Sequence, residues 1–396
     1  MGNAGTPPLI GLAPLARMAF RGDDLGPVKA DLLGRLARNE NDANALLDLS
    51  IVLHLAGQRQ LGLSLQEFAL QIQQLYHLRA AADSRPIRLL AVLSPGDLAE
   101  NNALEFLTER SDIALDLLYV RPDLPFPAAL PEHDLAIVAV CESDRNRPLL
   151  RYIRRMLRPW PRRVLCAPER IARLSRDRAS RLLQFLPGAV MPLTARLGRP
   201  ELERLPRAAF PVIVRPLDSQ KGHGLRKLDS QEDAAVYLQT HPDTAFYVAH
   251  YVEYRSPDGQ YRKYRVVLID RKPYACHMAI SDRWVVHYMT AGMVESAAKR
   301  AEEAQFFDSF DGDFAVRHRE ALEAVGARLG LEYVGIDCGE TPDGKLLLFE
   351  VDSGMTVHSM DPVEVFPYKA PQMKRVFAAF RQMLLNAAAP RAVLSG

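Results

Sequence analysis

From Leu9 to Leu78 the apolar residues recur at helical spacing, as in Leu46, Leu49 and Leu53 and then Leu61, Leu65, Ala69 and Ile72, with Gly57 at the break. That pattern predicts a helical hairpin. Between Ala81 and Pro86, Asp83, Ser84 and Arg85 precede a proline and interrupt both helical and strand periodicity, so this stretch reads as a linker. Beyond it, Ile87 to Leu93, Ile113 to Val120 and Leu135 to Cys141 form three short apolar runs separated by helical or turn-rich stretches, the alternation of a small open α/β domain. Farther on, Pro211 to Arg215 reads as a strand, Asp218 to Gly224 as a flexible loop and Leu225 to Leu228 as a returning strand. Near the C-terminus two apolar strands flank an Asp343-Gly344 turn, from Tyr333 to Asp352.

Composition narrows the function classes. Fifty basic and 48 acidic residues leave a formal charge of +2, without the net basic excess of a general nucleic-acid binder. Arg145 to Arg163 is rich in arginine and could be read as an RNA contact, but no RNA-binding signature accompanies it and a solvated helix face is the preferred reading. No apolar run approaches the ~20 residues that cross a bilayer, so neither a nucleic-acid nor a membrane partner is expected. Four cysteines without CxxC spacing (Cys141, Cys166, Cys276, Cys338) support neither a disulfide framework nor a zinc site, and the cytoplasm is the expected compartment. Only nine of the 50 basic residues are lysines, and none lies between Ala30 and Gln220.

Two segments carry chemistry. The turn Ser94 to Asp97 lacks a GxGxxG spacing, so the first α/β layer reads as scaffold. The loop with Gly222 and Gly224 joins strand to strand rather than strand to helix, which excludes a P-loop; it is either a plain turn or a flap offering backbone N–H groups to a polyphosphate. In the C-terminal hairpin, Glu350 and Asp352 are two apart and share a strand face. An even-length loop centred on Asp343-Gly344 would set Asp337 opposite Glu350, whereas a three-residue Pro-Asp-Gly loop would turn Asp337 to the other face. Converging acids need a neutralising cation, and hard oxygen ligands without sulfur or nitrogen suit Mg²⁺; acids merely facing solvent are the alternative.

With Asp337, Glu350 and Asp352 at these spacings, the chain resembles the ATP-grasp superfamily, in particular D-alanine ligases, glutathione synthetases and ribosomal-protein glutamate ligases. The resemblance covers roughly Ile87 to Leu385. With the helices over 1–82 that the periodicity predicts, which lie outside it, this gives an α/β chain of three parts: those helices, a small α/β domain over 83–195, and an ATP-grasp domain over 196–396. By the same likeness ATP and Mg²⁺ are the cofactors, with Asp337, Glu350 and Asp352 on the metal. Arg181, Arg215, Ser219, Lys221, Gly222 and Gly224 would lie about the phosphates, and Ala249, Tyr251 and Val252 at the hinge that holds adenine. Arg265 and Arg283 would stabilise developing charge on acyl phosphate and substrate. Arginine stands at 181 and 215 where those enzymes carry lysine, Asp352 where they carry Asn, and Lys263 where they often put an acid. The helical start is similar to tetratricopeptide repeats, with Gly22 and Gly57 about one repeat apart, though a plain helical bundle fits equally.

The implied activity is an ATP- and Mg²⁺-dependent ligase that joins a carboxylate to an amine or other nucleophile through an acyl phosphate, on a small-molecule or peptide substrate. A protein partner on the N-terminal helices and a homodimer accompany that resemblance. An ATP-grasp kinase and a non-catalytic nucleotide-binding scaffold are the alternatives.

Overall fold

The computed structural model describes residues 7–81, 86–217, 219 and 222–389. The linker residues Asp83, Ser84 and Arg85, and Asp218, Gln220 and Lys221 of the glycine loop, lie outside the described residues. The chain is of mixed α/β class and divides into two compact units, Met1–Ala172 with Ser353–Gly396, and Arg173–Asp352.

The first unit begins with four helices, α1 (Leu12–Arg21), α2 (Gly26–Arg38), α3 (Ala43–Leu55) and α4 (Arg59–Ile72). Asp42 caps α3 by accepting the Ala45 N–H at 3.0 Å, and Gly57 at φ +76 ends it, so α3 and α4 form the expected hairpin. Leu15, Leu32, Leu49, Val52 and Leu53 make its core. The helical reading stops at Ile72. Leu75–Leu78 is instead a strand, β1, with Tyr76 buried, because antiparallel pairing satisfies its backbone along a sheet edge.

That sheet also contains β2 (Ile87–Leu93), β3 (Ile113–Tyr119), β4 (Leu135–Val138) and β5 (Val164–Leu165), in the order β1-β3-β2-β4-β5, parallel except for β1. β3 and β4 are buried throughout, as continuous apolar runs of a parallel sheet should be. Helices α5 (Leu104–Thr108), α6 (Arg147–Met156) and α7 (Pro168–Ile171) connect and cover them. The arginine-rich stretch is helical only over α6, which buries Leu149, Leu150 and Ile153. The four cysteines are buried and none forms a disulfide.

The second unit holds α8 (Arg176–Leu182), β6 (Ala189–Val190), β7 (Thr194–Gly198), α9 (Arg199–Glu203), β8 (Val212–Pro216), β9 (Arg226–Leu228), α10 (Gln231–Thr240), β10 (Ala245–His250), β11 (Tyr261–Ile269) and β12 (Lys272–Ser281). It continues through α11 (Ala297–Ser309), α12 (Phe314–Arg317), α13 (Arg319–Leu329), β13 (Tyr333–Glu340) and β14 (Leu346–Asp352). Two sheets result, an antiparallel one ordered β7-β10-β8-β9 and a larger one ordered β12-β11-β13-β14-β6, antiparallel except for β6. The chain then returns to the first unit, where α14 (Lys369–Ala388) packs on α5 and β4 and Arg381 pairs with Asp112. Among the described residues no helix is long and apolar enough to cross a membrane.

Candidate functional site

Strand alternation explains how the smaller sheet presents its chemistry. Val212 and Val214 of β8 enter an apolar cluster with Leu202, Leu238, Phe246 and Val248, so Arg215 belongs to the opposite face. There Arg215 pairs across the ladder with Tyr247 of β10, which pairs in turn with Arg196 of β7. The row Arg196–Tyr247–Arg215 is knit together: Arg196 Nη2 donates to the Tyr247 hydroxyl at 2.7 Å and its guanidinium lies 5.1 Å from the ring centre. Arg196 also donates to Asp177 at 3.1 Å, and Arg181 reaches the same carboxylate at 3.7 Å.

Arg215 is only 9% exposed. Its Nε donates to Ser219 Oγ at 3.0 Å and a terminal nitrogen donates to the Ser219 carbonyl, so the start of the glycine loop is tied to the arginine it follows. Burial, and then the like charge of Arg176, push the Arg215 guanidinium down to about 10, which leaves it a cation at neutral pH. Gly224 closes the loop at φ +66, where a Cβ would meet Pro216 Cδ at 2.7 Å. Gly222, at φ +75, has open space around it.

The larger sheet carries a second row. Its terminal hairpin turns through three residues, Pro342 to Gly344, with Thr341 N–H bonded to the Lys345 carbonyl at 2.9 Å and Gly344 at φ +79. In an unbroken ladder such a loop would turn Asp337 from Glu350. Instead Phe349 forms a β-bulge, the register shifts between Asp337 and Cys338, and Asp337 pairs with Glu350 after all. The loop is therefore the three-residue form, yet the two acids still face each other. β11 adds Arg265 opposite Asp337, and β12 adds His277 opposite Arg265. The row runs His277–Arg265–Asp337–Glu350, with Asp352 two positions beyond Glu350 on the same strand.

Asp337 is 3% exposed, and both its oxygens are engaged. Arg265 grips it with two donors, Nε to Oδ1 at 2.7 Å and Nη2 to Oδ2 at 3.0 Å, while Lys263 Nζ stands 2.7 Å from Oδ2. Burial alone would raise this carboxyl, but the charges of Arg265 and Lys263 outweigh it and hold it far below the usual carboxylate range. Arg265 responds in the opposite sense: burial would lower it, yet Asp337 holds its proton more firmly than usual. Glu350 bonds Arg176 at the start of α8, and that charge overcomes the effect of burial and lowers its pKa.

The two rows act on one another. Arg215 of the smaller sheet feels both Arg176 and Glu350, and Glu350 feels Arg215, so the rows share one electrostatic site. It gathers Arg176, Arg215, Lys263 and Arg265 about Asp337 and Glu350.

Other residues expected at the site are placed differently. Arg181 lies one salt bridge away from the row of Arg215, through Asp177 and Arg196, with its own side chain 62% exposed. Ala249 pairs with Ile213 and Thr194, and Tyr251 follows β10 with its hydroxyl on Glu253 at 3.1 Å and Lys227 Nζ 4.5 Å from its ring. Val252 is half-buried beside it. Arg283 is exposed past the end of β12, its backbone N–H bonded to Ser281 Oγ at 3.1 Å. Arg176, Arg196 and His277 were not expected from the sequence, although strand alternation and the ladder could have found the last two; Tyr247 was expected only as the start of the adenine hinge.

Asp337 and Glu350 meet across the ladder as expected, with Asp352 on the same strand, but Asp337 and Glu350 are each paired with cations. Among the described residues no group of three or more His, Cys, Asp or Glu side chains is placed to hold a metal ion. The physical reason is local: the charge that a divalent ion would neutralise is already neutralised by Lys263 and Arg265 on Asp337 and by Arg176 on Glu350. The donors have the chemistry for Mg²⁺, but the arrangement does not fit it.

No protein-family model and no curated protein matches the chain. Solved structures do. D-alanyl-alanine synthetase A from Vibrio cholerae O1 biovar eltor aligns at 14% identity over 77% of this chain and 100% of its own, with a TM-score of 0.45. A RimK domain ATP-grasp protein from Sphaerobacter thermophilus aligns at 17% identity over 75% of this chain and 99% of its own, at 0.39. The ATP-grasp ligase PsnB, complexed with a precursor peptide and AMPPNP, aligns at 14% identity over 76% of this chain and 99% of its own, at 0.42. Each of these alignments covers about three quarters of this chain.

Proposed function

We propose that the unit Arg173–Asp352 binds ATP and that the protein is an ATP-dependent ligase. The observation that carries this reading is the meeting of the two cross-strand rows, which sets Arg176, Arg215, Lys263 and Arg265 in one site suited to a chain of phosphates. Arginine forks match phosphate oxygens, and a partly buried setting strengthens each contact relative to water. The glycine loop, tied to Arg215 through Ser219, would cover the phosphates with Lys221, Gly222 and Gly224, while Ala249, Tyr251 and Val252 would line the adenine hinge. Arg181 would meet the phosphates from the side of Asp177.

The chemistry follows from that placement. A substrate carboxylate oxygen attacks the γ-phosphorus, the bond to the β-phosphate bridging oxygen breaks, and ADP leaves as the acyl phosphate forms. An amine then attacks the acyl carbon, loses its proton and expels inorganic phosphate. Arg265 and Arg283 would stabilise charge on the transferring phosphoryl and acyl oxygens, work that is positional and electrostatic. The decisive experiment incubates the protein with ATP and panels of acids, amines and peptides. ADP and inorganic phosphate should appear together in equal amounts. ADP without inorganic phosphate would mark a kinase, and no ADP with any panel would overturn the ligase reading.

One observation favours a second reading, a nucleotide-binding protein without turnover. The Asp337 carboxylate is saturated by Lys263 and Arg265, as suits a site built to bind. ATP binding without ADP formation would support it.

A further inference from the structure

The cationic groups around Asp337 bear on how nucleotide is held, a step that rests on the ATP-site reading above. For a protein-held divalent ion to reach Asp337, it would have to displace two charge-assisted hydrogen bonds from Arg265 and the ammonium of Lys263. Those displaced cations, each only about one fifth exposed, would lose their counter-charge without gaining full hydration. Glu350 is held in the same way by Arg176. Four cationic side chains, Arg176, Arg215, Lys263 and Arg265, therefore stand around the paired carboxylates of Asp337 and Glu350, a positive balance before any ligand arrives. Such a site attracts an anion and resists a further dication.

We propose that Lys263 and Arg265, with Arg176, take the place of a protein-held metal ion, so that the site binds the polyphosphate of a nucleotide directly, with Asp337 and Glu350 as internal competitors for the same cations. Polyphosphate and carboxylate exchange at one set of donors: when phosphate enters, Lys263 and Arg265 turn part of their hydrogen bonding from Asp337 toward it. Asp337 is then a positioning residue, which keeps the two cations ordered and facing the site when no nucleotide is bound.

The test is equilibrium binding to the full chain of ATP, and separately of inorganic tripolyphosphate, in excess EDTA and in Mg²⁺. ATP affinity in EDTA should lie within about 3-fold of that in Mg²⁺, and Lys263→Ala should weaken binding in EDTA by roughly 10-fold, the worth of one charge-assisted hydrogen bond. Asp337→Asn gives the sharpest contrast. It removes the competitor and frees the cations, so a chain that still melts cooperatively should bind tripolyphosphate more tightly both in EDTA and in Mg²⁺; a metal site would bind it more weakly in Mg²⁺. Where Asp337→Asn fails to fold, Glu350→Gln makes the same contrast by freeing Arg176. Electron paramagnetic resonance of Mn²⁺ added to the chain alone should show free ion only.

Binding that appears only with Mg²⁺, stoichiometric Mn²⁺ capture by the chain alone, or weakened binding in a folded Asp337→Asn would each overturn the proposal while leaving the ATP site standing. No ATP binding in either condition would overturn the ATP-site reading and this inference with it.

Discussion

Two pairs of buried carboxylates, one pair in each unit, are held in opposite ways. In the first, Asp48 accepts the N–H groups of Ile10 and Gly11, both at 2.9 Å, and Glu105 accepts that of Ala13 at 3.1 Å, so both acids fasten the start of α1 through neutral backbone donors. Burial dominates there and raises Asp48 to about 6 and Glu105 to about 7. In the second, Asp337 and Glu350 are held by full cations and are lowered. Neutral donors suffice to staple a helix. A cluster of cations drawn to one sheet face exceeds what stapling needs, and that excess is what supports the proposal that the second unit handles a charged ligand.

The strongest challenge to that contrast is removal of a cation. Arg265→Leu leaves the buried Asp337 with Lys263 alone, and about 3 kcal/mol of stability should be lost, the usual result of breaking a buried pair. Denaturant unfolding checks this, and a change under about 1 kcal/mol would show that the pair is solvated like a surface bridge.

Smaller, per pH unit, is the pH dependence. A carboxyl raised in the folded state still holds its proton where the unfolded chain has released it, so folding is favoured at low pH and loses stability as pH rises. For Asp48 the loss falls between 3.8 and about 6, and for Glu105 between 4.5 and about 7, at up to about 1.4 kcal/mol per pH unit for each group. Asp48→Asn should flatten part of this slope in thermal melts. Asp337 and Glu350 run the other way: their contribution is complete above the ordinary carboxylate range and is lost only as pH falls below it. A melt of Asp48→Asn with an unchanged slope would remove the first half of the comparison.

The smallest effect belongs to Arg181. Exposed and paired with Asp177 at 3.7 Å, it should change ATP affinity by less than about 1 kcal/mol, or under about 5-fold, when replaced by Ala. A larger loss in a binding titration would show that it meets the phosphates directly.

Much of this was readable in the sequence because it depends on local period. Alternation along β8 sets Arg215 apart from Val212 and Val214, the three apolar runs became β2, β3 and β4, and the acid hairpin formed where its Asp-Gly turn said it would. The pairing of Asp337 with Glu350 was one of two open registers. A bulge at Phe349, which no pattern of types announces, decided it, with that ring set 4.9 Å from Tyr254 against the Cβ-free Gly339. Arg176 was invisible for a different reason. It reaches Glu350 across 174 positions of chain, and nothing in helical or strand periodicity encodes a contact of that span. The strand Leu75–Leu78 looked helical because four residues are too few for a period to tell, and its partner strand decided the matter.

The most direct test of the central claim is amide hydrogen exchange of the full chain with and without saturating ATP. Protection is expected on Val212–Pro216, Tyr261–Ile269 and Tyr333–Asp352, the strands that carry the two rows, with Ile87–Leu93 and Leu135–Val138 of the first unit unchanged. Protection confined to the first unit, or none at saturating ATP, would contradict it.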